Sequence, residues 1–273
     1  MSGGPDVASM AAAIAGVPGV VGVLLGGSRA RGAHRPDSDW DLGIYYRGAV
    51  DTAGLAALAA ELTGEPVAVA GPGGWGPWVN GGAWLTVDGM AVDWILRDLD
   101  RVRTVWAECR QGRYEVGIQP GHPLGFWSPC YPGEVALGRP LADPGDELAA
   151  LRAEVGRYPE KLRTALVEAA WEADFSVVGA AKSARSGDTL HVSLCLSRAF
   201  GVLAQSLHAH ARTWCLNEKG ALAAAAGLPG APPGWAARAA ALLGGCGSTA
   251  AELSRTVASA SVLVREVRES LAE

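Results

Sequence analysis

The stretch Asp39–Tyr46, DWDLGIYY, alternates with a period of two, and no other segment restricts the fold of this chain as strongly. Successive side chains of an extended strand point to opposite faces. Trp40, Leu42 and Ile44 therefore share one face while Asp39 and Asp41 share the other. The apolar face demands a core. The acidic face cannot be buried with it, because two carboxylates held that close repel and one would take up a proton unless a cation stands between them. The strand must lie in a sheet with one packed face and one face turned, at least locally, toward positive charge. A divalent hard cation meets that demand, and Mg²⁺ typically keeps one or two carboxylates together with substrate phosphates.

Two further segments fit around this strand. Gly26-Gly27-Ser28 directly follows the apolar run Gly19–Leu25, of strand length, and precedes a stretch that reads as a short helix. Glycines let the backbone turn its N–H groups toward an anion, and a helix start favours negative charge. Ser28 adds a hydroxyl, and Arg29 and Arg31 add positive charge suited to a triphosphate. Gly-Gly-Ser alone is common in turns; the ten residues that separate Ser28 from Asp39 are what discriminate, since they leave room for a short helix and a return strand. Asp93, in GMAVDWIL, is the candidate third carboxylate, again interrupting an apolar strand. Asp88 is read as a turn residue, and Asp98 and Asp100 as the start of the next helix.

The remaining pattern is α/β first and helical afterwards. Thr52–Leu62 reads as a helix capped by Asp51, and Pro66–Ala70 as another short strand. Gly71–Gly82 is a glycine- and tryptophan-rich loop, and Ala83–Val87 and Met90–Leu96 form a hairpin turned by Asp88-Gly89. A helix is expected from Asp98 to about Cys109. Gln119–Pro144, dense in proline and glycine, reads as irregular connecting chain. Beyond it, Asp146–Val155, Pro159–Ser186, Thr189–Trp214, Glu218–Ala226, Pro233–Leu243 and Ser248–Leu271 carry helical periodicity. The expected fold class is α+β: a mixed sheet flanked by helices over residues 1–118, a connecting segment over 119–145, and an all-α bundle over 146–273.

Bulk properties exclude several classes of function. Nearly half of the residues are hydrophobic and 19% are charged, so the chain is not of disordered composition. A net charge of −5 disfavours nucleic acid and an anionic membrane surface as partners. No window approaches the ~18 consecutive apolar residues of a membrane span. The N-terminus, with Asp6 ahead of its apolar part and a break at Pro18-Gly19, reads as a first helix rather than a leader. Five cysteines, none in a C-x-x-C pair, suit a reducing, cytoplasmic setting better than a disulfide framework or a zinc site.

Gly27-Ser28, then Asp39-x-Asp41, then Asp93 on a later strand resemble the signature of the nucleotidyltransferase superfamily related to DNA polymerase beta. The resemblance covers about the first hundred residues. The helical half resembles the C-terminal bundle of two-domain members of that superfamily, a group that includes the antibiotic nucleotidyltransferases acting on aminoglycosides and lincosamides. It implies two Mg²⁺ ions held by Asp39, Asp41 and Asp93, with Asp93 serving the ion nearer the acceptor. Gly27 and Ser28 would hold the β- and γ-phosphates of ATP or another nucleoside triphosphate. The implied reaction passes a nucleoside monophosphate, AMP from ATP, to a hydroxyl of a small polar molecule such as an aminoglycoside and releases pyrophosphate. In aminoglycoside-modifying relatives a glutamate of the helical domain takes the acceptor's proton, which makes Glu168 and Glu172, four apart in one expected helix, the candidates here; the competing reading is a solvated acidic face. Asp93 itself, or a metal-lowered hydroxyl pKa without a dedicated base, is the alternative.

Lys219, in a polar break between helices, either reaches a phosphate or is an exposed lysine behind an Asn217 cap, and Lys182 is a weaker candidate of the same kind. Trp75, Trp78 and Trp84 sit in or beside the glycine-rich loop. Such aromatics stack a base or a sugar-like acceptor, or anchor the loop, and at least one is read as an anchor. Trp40 and Trp94 belong to the core. Two other functions compete: a toxin–antitoxin regulator that adenylylates its partner protein, and a non-catalytic nucleotide-binding module. Self-association is left open.

Overall fold

A computed structural model describes residues 4–272 of the chain. They form two compact units. One runs up to Glu108 and resumes over Glu115–Arg157; the other takes Cys109–Tyr114 and the chain from Tyr158 onward. The architecture is α+β, with a mixed sheet and a helical region that follows it.

The first unit holds α1 (Val7–Ala15), β1 (Val20–Leu25), α2 (Gly27–Ala30), β2 (Trp40–Tyr46), α3 (Thr52–Thr63), β3 (Gly82–Val87), β4 (Met90–Asp98), α4 (Leu99–Cys109), β5 (Val116–Gln119), β6 (His122–Trp127), α5 (Cys130–Leu137), β7 (Arg139–Ala142) and α6 (Glu147–Val155). Five strands form one sheet in the order β3-β4-β2-β1-β7, in which β2 and β4 run parallel and every other pair is antiparallel. The period-two pattern decides the faces. Leu42 and Ile44 of β2 and Val92, Trp94 and Leu96 of β4 are fully buried, and they pack with Met10 and Ile14 of α1 and Leu55 and Ala59 of α3. Asp51 caps α3 by accepting from Gly54 N at 2.9 Å. Asp88 and Gly89, both at positive φ, make the hairpin turn.

The opposite face is covered at one end only. There Arg97, paired in register with Tyr45, gives Glu134 of α5 two hydrogen bonds of 2.6 and 2.7 Å. Tyr131 lies under the same guanidinium. Removing either ion-pair partner alone would strand a charge in this covered end of the sheet.

Two expectations about this unit do not hold. Pro66–Ala70 is not a strand: only Ala70 bridges to the sheet, at Gly82, because the loop turns away before the other residues find partners. The stretch 119–145 is mostly regular rather than irregular. Its prolines sit where a missing N–H costs little: Pro129 at the N-cap of α5, Pro132 in its first turn, and Pro140 on β7, an edge strand paired to β1.

The second unit holds α7 (Glu160–Glu168), α8 (Trp171–Arg185), α9 (Thr189–His210), α10 (Ala221–Ala225), α11 (Trp235–Gly244) and α12 (Ala250–Leu271). Leu196, Phe200, Leu203 and Leu207 of α9 are its centre, and Val177 of α8, Trp235 of α11 and Leu263, Val264 and Val267 of α12 close around them. Ala173, Ala180 and Ala184, all buried, let α8 approach α9 closely. Thr249 and Glu252 form a reciprocal capping box on α12, whose hydrogen bonds hold the Glu252 carboxyl down at about 2. By length and composition α9 could cross a bilayer, but 56% of its most apolar window is buried within the fold, as in a core helix.

The helix expected over 159–186 is broken at Ala169-Ala170. The buried Ser206 hydroxyl donates to the carbonyl of Leu166 at 2.8 Å, and Ala170 N turns to Val167 instead.

Burial also gives this unit a pH dependence. His208 is 8% exposed, shares 3.0 Å with Thr213 Oγ1 through Nδ1, and desolvation pushes its pKa down to about 4. The unfolded chain then binds this proton more readily. The contribution is present above the unfolded value of 6.5 and is lost as pH falls toward the folded one. Urea melts at pH 7 and pH 5 are expected to differ by about 2 kcal/mol on this account, and His208→Gln should remove that part of the difference.

Candidate active site

The site is a row of side chains across the open end of the sheet. Asp41 of β2 and Asp93 of β4 are register partners in the parallel pair, and Trp84 of β3 is the register partner of Asp93. Register partners on neighbouring strands share a face, so all three stand on the side away from the core. Both aspartates are half-buried. On the far side of Asp41 the row continues into the β1–α2 turn, where Gly26 N donates to Asp41 O at 2.8 Å.

That turn is fitted around the Asp41 carboxylate. Gly27 has φ +62, and a Cβ there would fall 1.7 Å from Asp41 Oδ2 and 2.6 Å from its Cγ. No other residue leaves room for the acid. Gly27 begins α2, so Ser28 and the first amides of that helix open beside Asp41.

Asp39 lies one residue outside the strand and is exposed. Its place depends on Arg29. The Arg29 guanidinium donates to the carbonyls of Pro36, Ser38 and Asp39 and lies 4.1 Å from the Trp40 ring centroid. Arg29 thereby clamps the loop that delivers Asp39, a role that its own segment of sequence does not reveal. Arg31, at the end of α2, is exposed.

The loop after α3 is held firmly. The Gln119 amide, 4% exposed, accepts from Trp78 N and Val79 N and donates to Trp75 O. Asn80 donates to Tyr46 Oη, and Tyr131 Oη to Trp78 O. Trp78 is the anchor expected among the tryptophans: it is buried and stacks on Phe126, with the Arg101 guanidinium 4.6 Å from its ring centroid. Trp84 is the reverse case, 69% exposed and stacked on Trp75 at 4.3 Å and 14°. Alternation along Gly82–Val87 places Trp84 on the acidic face, a signal present in the sequence that the expectations above leave unused.

The other sequence candidates belong to the second unit. Glu168 and Glu172 do not lie on one helix as expected, because the break at Ala169-Ala170 puts them on α7 and α8. Glu172 is paired with Arg198 at 2.6 and 3.0 Å. Glu168 lines a cavity of about 320 Å³ with Gln111, Lys161 and Thr164. Lys219 is exposed, and its amide is capped by Asn217 Oδ1 at 3.0 Å, the structural arrangement weighed from the sequence. Lys182 falls in the last turn of α8.

The donors in the row suit a hard cation: carboxylate oxygens on adjacent strands at paired positions, on the uncovered part of a sheet face. Among the described residues no three His, Cys, Asp or Glu groups converge as a ready-made metal cage. Mg²⁺ bound by one or two carboxylates plus substrate phosphates does not require one.

Residues 15–72 match the family model described as nucleotidyltransferase domain, a span that includes Gly27, Ser28, Asp39 and Asp41 but not Asp93. Among solved structures, the chain is similar to a nucleotidyltransferase-like protein from Exiguobacterium sibiricum 255-15. The two share 11% identity over 97% of this chain and 72% of that one, with a TM-score of 0.44. No curated protein matches the chain.

Proposed function

Starting from an enzyme with a nucleotidyltransferase domain over residues 15–72, we propose that this chain transfers AMP from ATP to a hydroxyl of a small polar acceptor, an aminoglycoside or related antibiotic. The observation that carries the reading is the Asp41–Asp93 pair beside a glycine turn that has no room for a side chain. Gly27, Ser28 and the first amides of α2 would receive the β- and γ-phosphates, where unpaired N–H groups favour anions. Asp39, Asp41 and Asp93 would hold Mg²⁺, which supplies neutralisation of phosphate charge and a lowered pKa for the attacking hydroxyl.

The chemistry is an in-line displacement. A bond forms between the acceptor oxygen and the α-phosphorus, the bond from that phosphorus to the bridging oxygen breaks, and pyrophosphate leaves. Asp93 would take the acceptor's proton, or the metal would lower the hydroxyl pKa without a dedicated base. Arg29 and Arg31 would add charge to the triphosphate.

Pyrophosphate release from ATP and Mg²⁺ across a panel of aminoglycosides, lincosamides and hydroxylated sugars tests the reading. Turnover with at least one acceptor is expected. Nucleotide binding without turnover on any of them would turn the assignment toward a binding module. Transfer of label from ATP to a protein in place of these compounds would turn it toward a protein adenylyltransferase.

A further inference from the structure

Trp84 is a large apolar side chain, 69% exposed, set directly beside a carboxylate of the row. Its exposure is built rather than incidental. Trp75 stacks on it nearly parallel, and the Trp75 carbonyl is fixed by the buried amide of Gln119. Gly82 provides the seat: a Cβ there would fall 3.0 Å from the Trp75 ring and 1.8 Å from Trp94 O. The result is a rigid, double-layered indole surface facing solvent.

Its position in the row gives it a side of the reaction. The order across the sheet is Gly27, Asp41, Asp93, Trp84. In an in-line displacement the attacking and leaving oxygens lie on opposite sides of the phosphorus. With the leaving pyrophosphate at the Gly27–Ser28 end, the acceptor arrives from the Asp93–Trp84 end. An indole face attracts cations and stacks on ring C–H groups.

Resting on the proposed nucleotidyl transfer, we infer that Trp84, backed by Trp75, is the platform for the acceptor, and that the acceptor presents an amino-sugar ring to it. Trp84 then sets acceptor specificity and has no part in holding the nucleotide.

The test is calorimetric binding of two probes, kanamycin and the Mg²⁺ complex of α,β-methylene-ATP, to the full chain and to Trp84→Leu and Trp84→Phe. Trp84→Leu is expected to weaken kanamycin about tenfold, the size of one stacking or cation–π contact, and to leave the nucleotide analogue unchanged. Trp84→Phe should recover most of the loss, which a merely structural role would not produce. Unchanged kanamycin affinity in Trp84→Leu, no kanamycin binding to the wild-type chain, or a weakened nucleotide analogue would each overturn the inference. Failure of the underlying reading looks different: kanamycin would still bind through Trp84, and no pyrophosphate would be released with any acceptor.

Discussion

Asp41→Asn is expected to lower nucleotidyl transfer by about a thousandfold or more, close to 4 kcal/mol of transition-state stabilisation, while the chain stays folded. Asparagine keeps the size of the side chain and its place beside Gly27, so the β1–α2 turn has no reason to move. What is lost is charge. In the proposed reaction the triphosphate would bring several negative charges to the open end of the sheet, and Asp41 stands between the β1–α2 turn and Asp93. A neutral residue at the centre of the row no longer helps to hold a cation against them. The measurement is the rate of pyrophosphate release at saturating ATP and acceptor, with circular dichroism and a thermal melt to establish the fold. Turnover within tenfold of wild type would remove Asp41 from the mechanism. Asp93→Asn is the companion variant, and since Asp93 lies outside the matched residues 15–72, its effect bears independently on the row.

Gly27→Ala is expected to be damaging too, for a steric reason. The new Cβ would occupy the position of the Asp41 carboxylate, 1.7 Å from Oδ2, so either the acid or the turn must shift. A displacement of about 1 Å at a reacting site is enough to cost roughly a hundredfold in rate. The backbone contributes a second, smaller penalty, because φ +62 costs a residue with a Cβ about 1–2 kcal/mol. Gly32→Ala separates the two effects. Gly32 has φ +67, and a Cβ added there would meet nothing within 4 Å, so its variant should lose stability by a similar amount and keep most of its activity. Equal activity losses in the two variants would show that strain, and not the carboxylate's space, is what matters at Gly27.

Much of the site could be read along the chain because its parts announce themselves locally. An acid interrupting an apolar alternation is visible within eight residues at Asp39 and Asp41, and again around Asp93. The Asp51 cap, the Asp88-Gly89 turn and the change from strands to helices are equally local and appear as expected. The misreadings share a cause too. The prolines of 119–145 suggested irregular chain because their cost depends on whether a neighbour needs the missing N–H, and Pro140 lies on an edge. Residues 159–186 looked like one helix because Ser206, whose hydroxyl binds the Leu166 carbonyl beside the break, is forty positions from it. Nothing in the segment around Arg29 shows the three carbonyls that it clamps, a structural role that stands beside its expected place at the triphosphate.

By itself, then, the sequence determined which face of each strand could be buried, and hence that its acids would stand together on the other side. Side-chain alternation is a property of the extended backbone and needs no partner. Only the tertiary structure decided that Asp41 faces Asp93, that Trp84 completes their row and that Gly27 is moulded to one carboxylate. Those are matters of strand order and register, set by contacts between segments far apart along the chain, and register is fixed only when a shared core forces every apolar side chain to the same face at once.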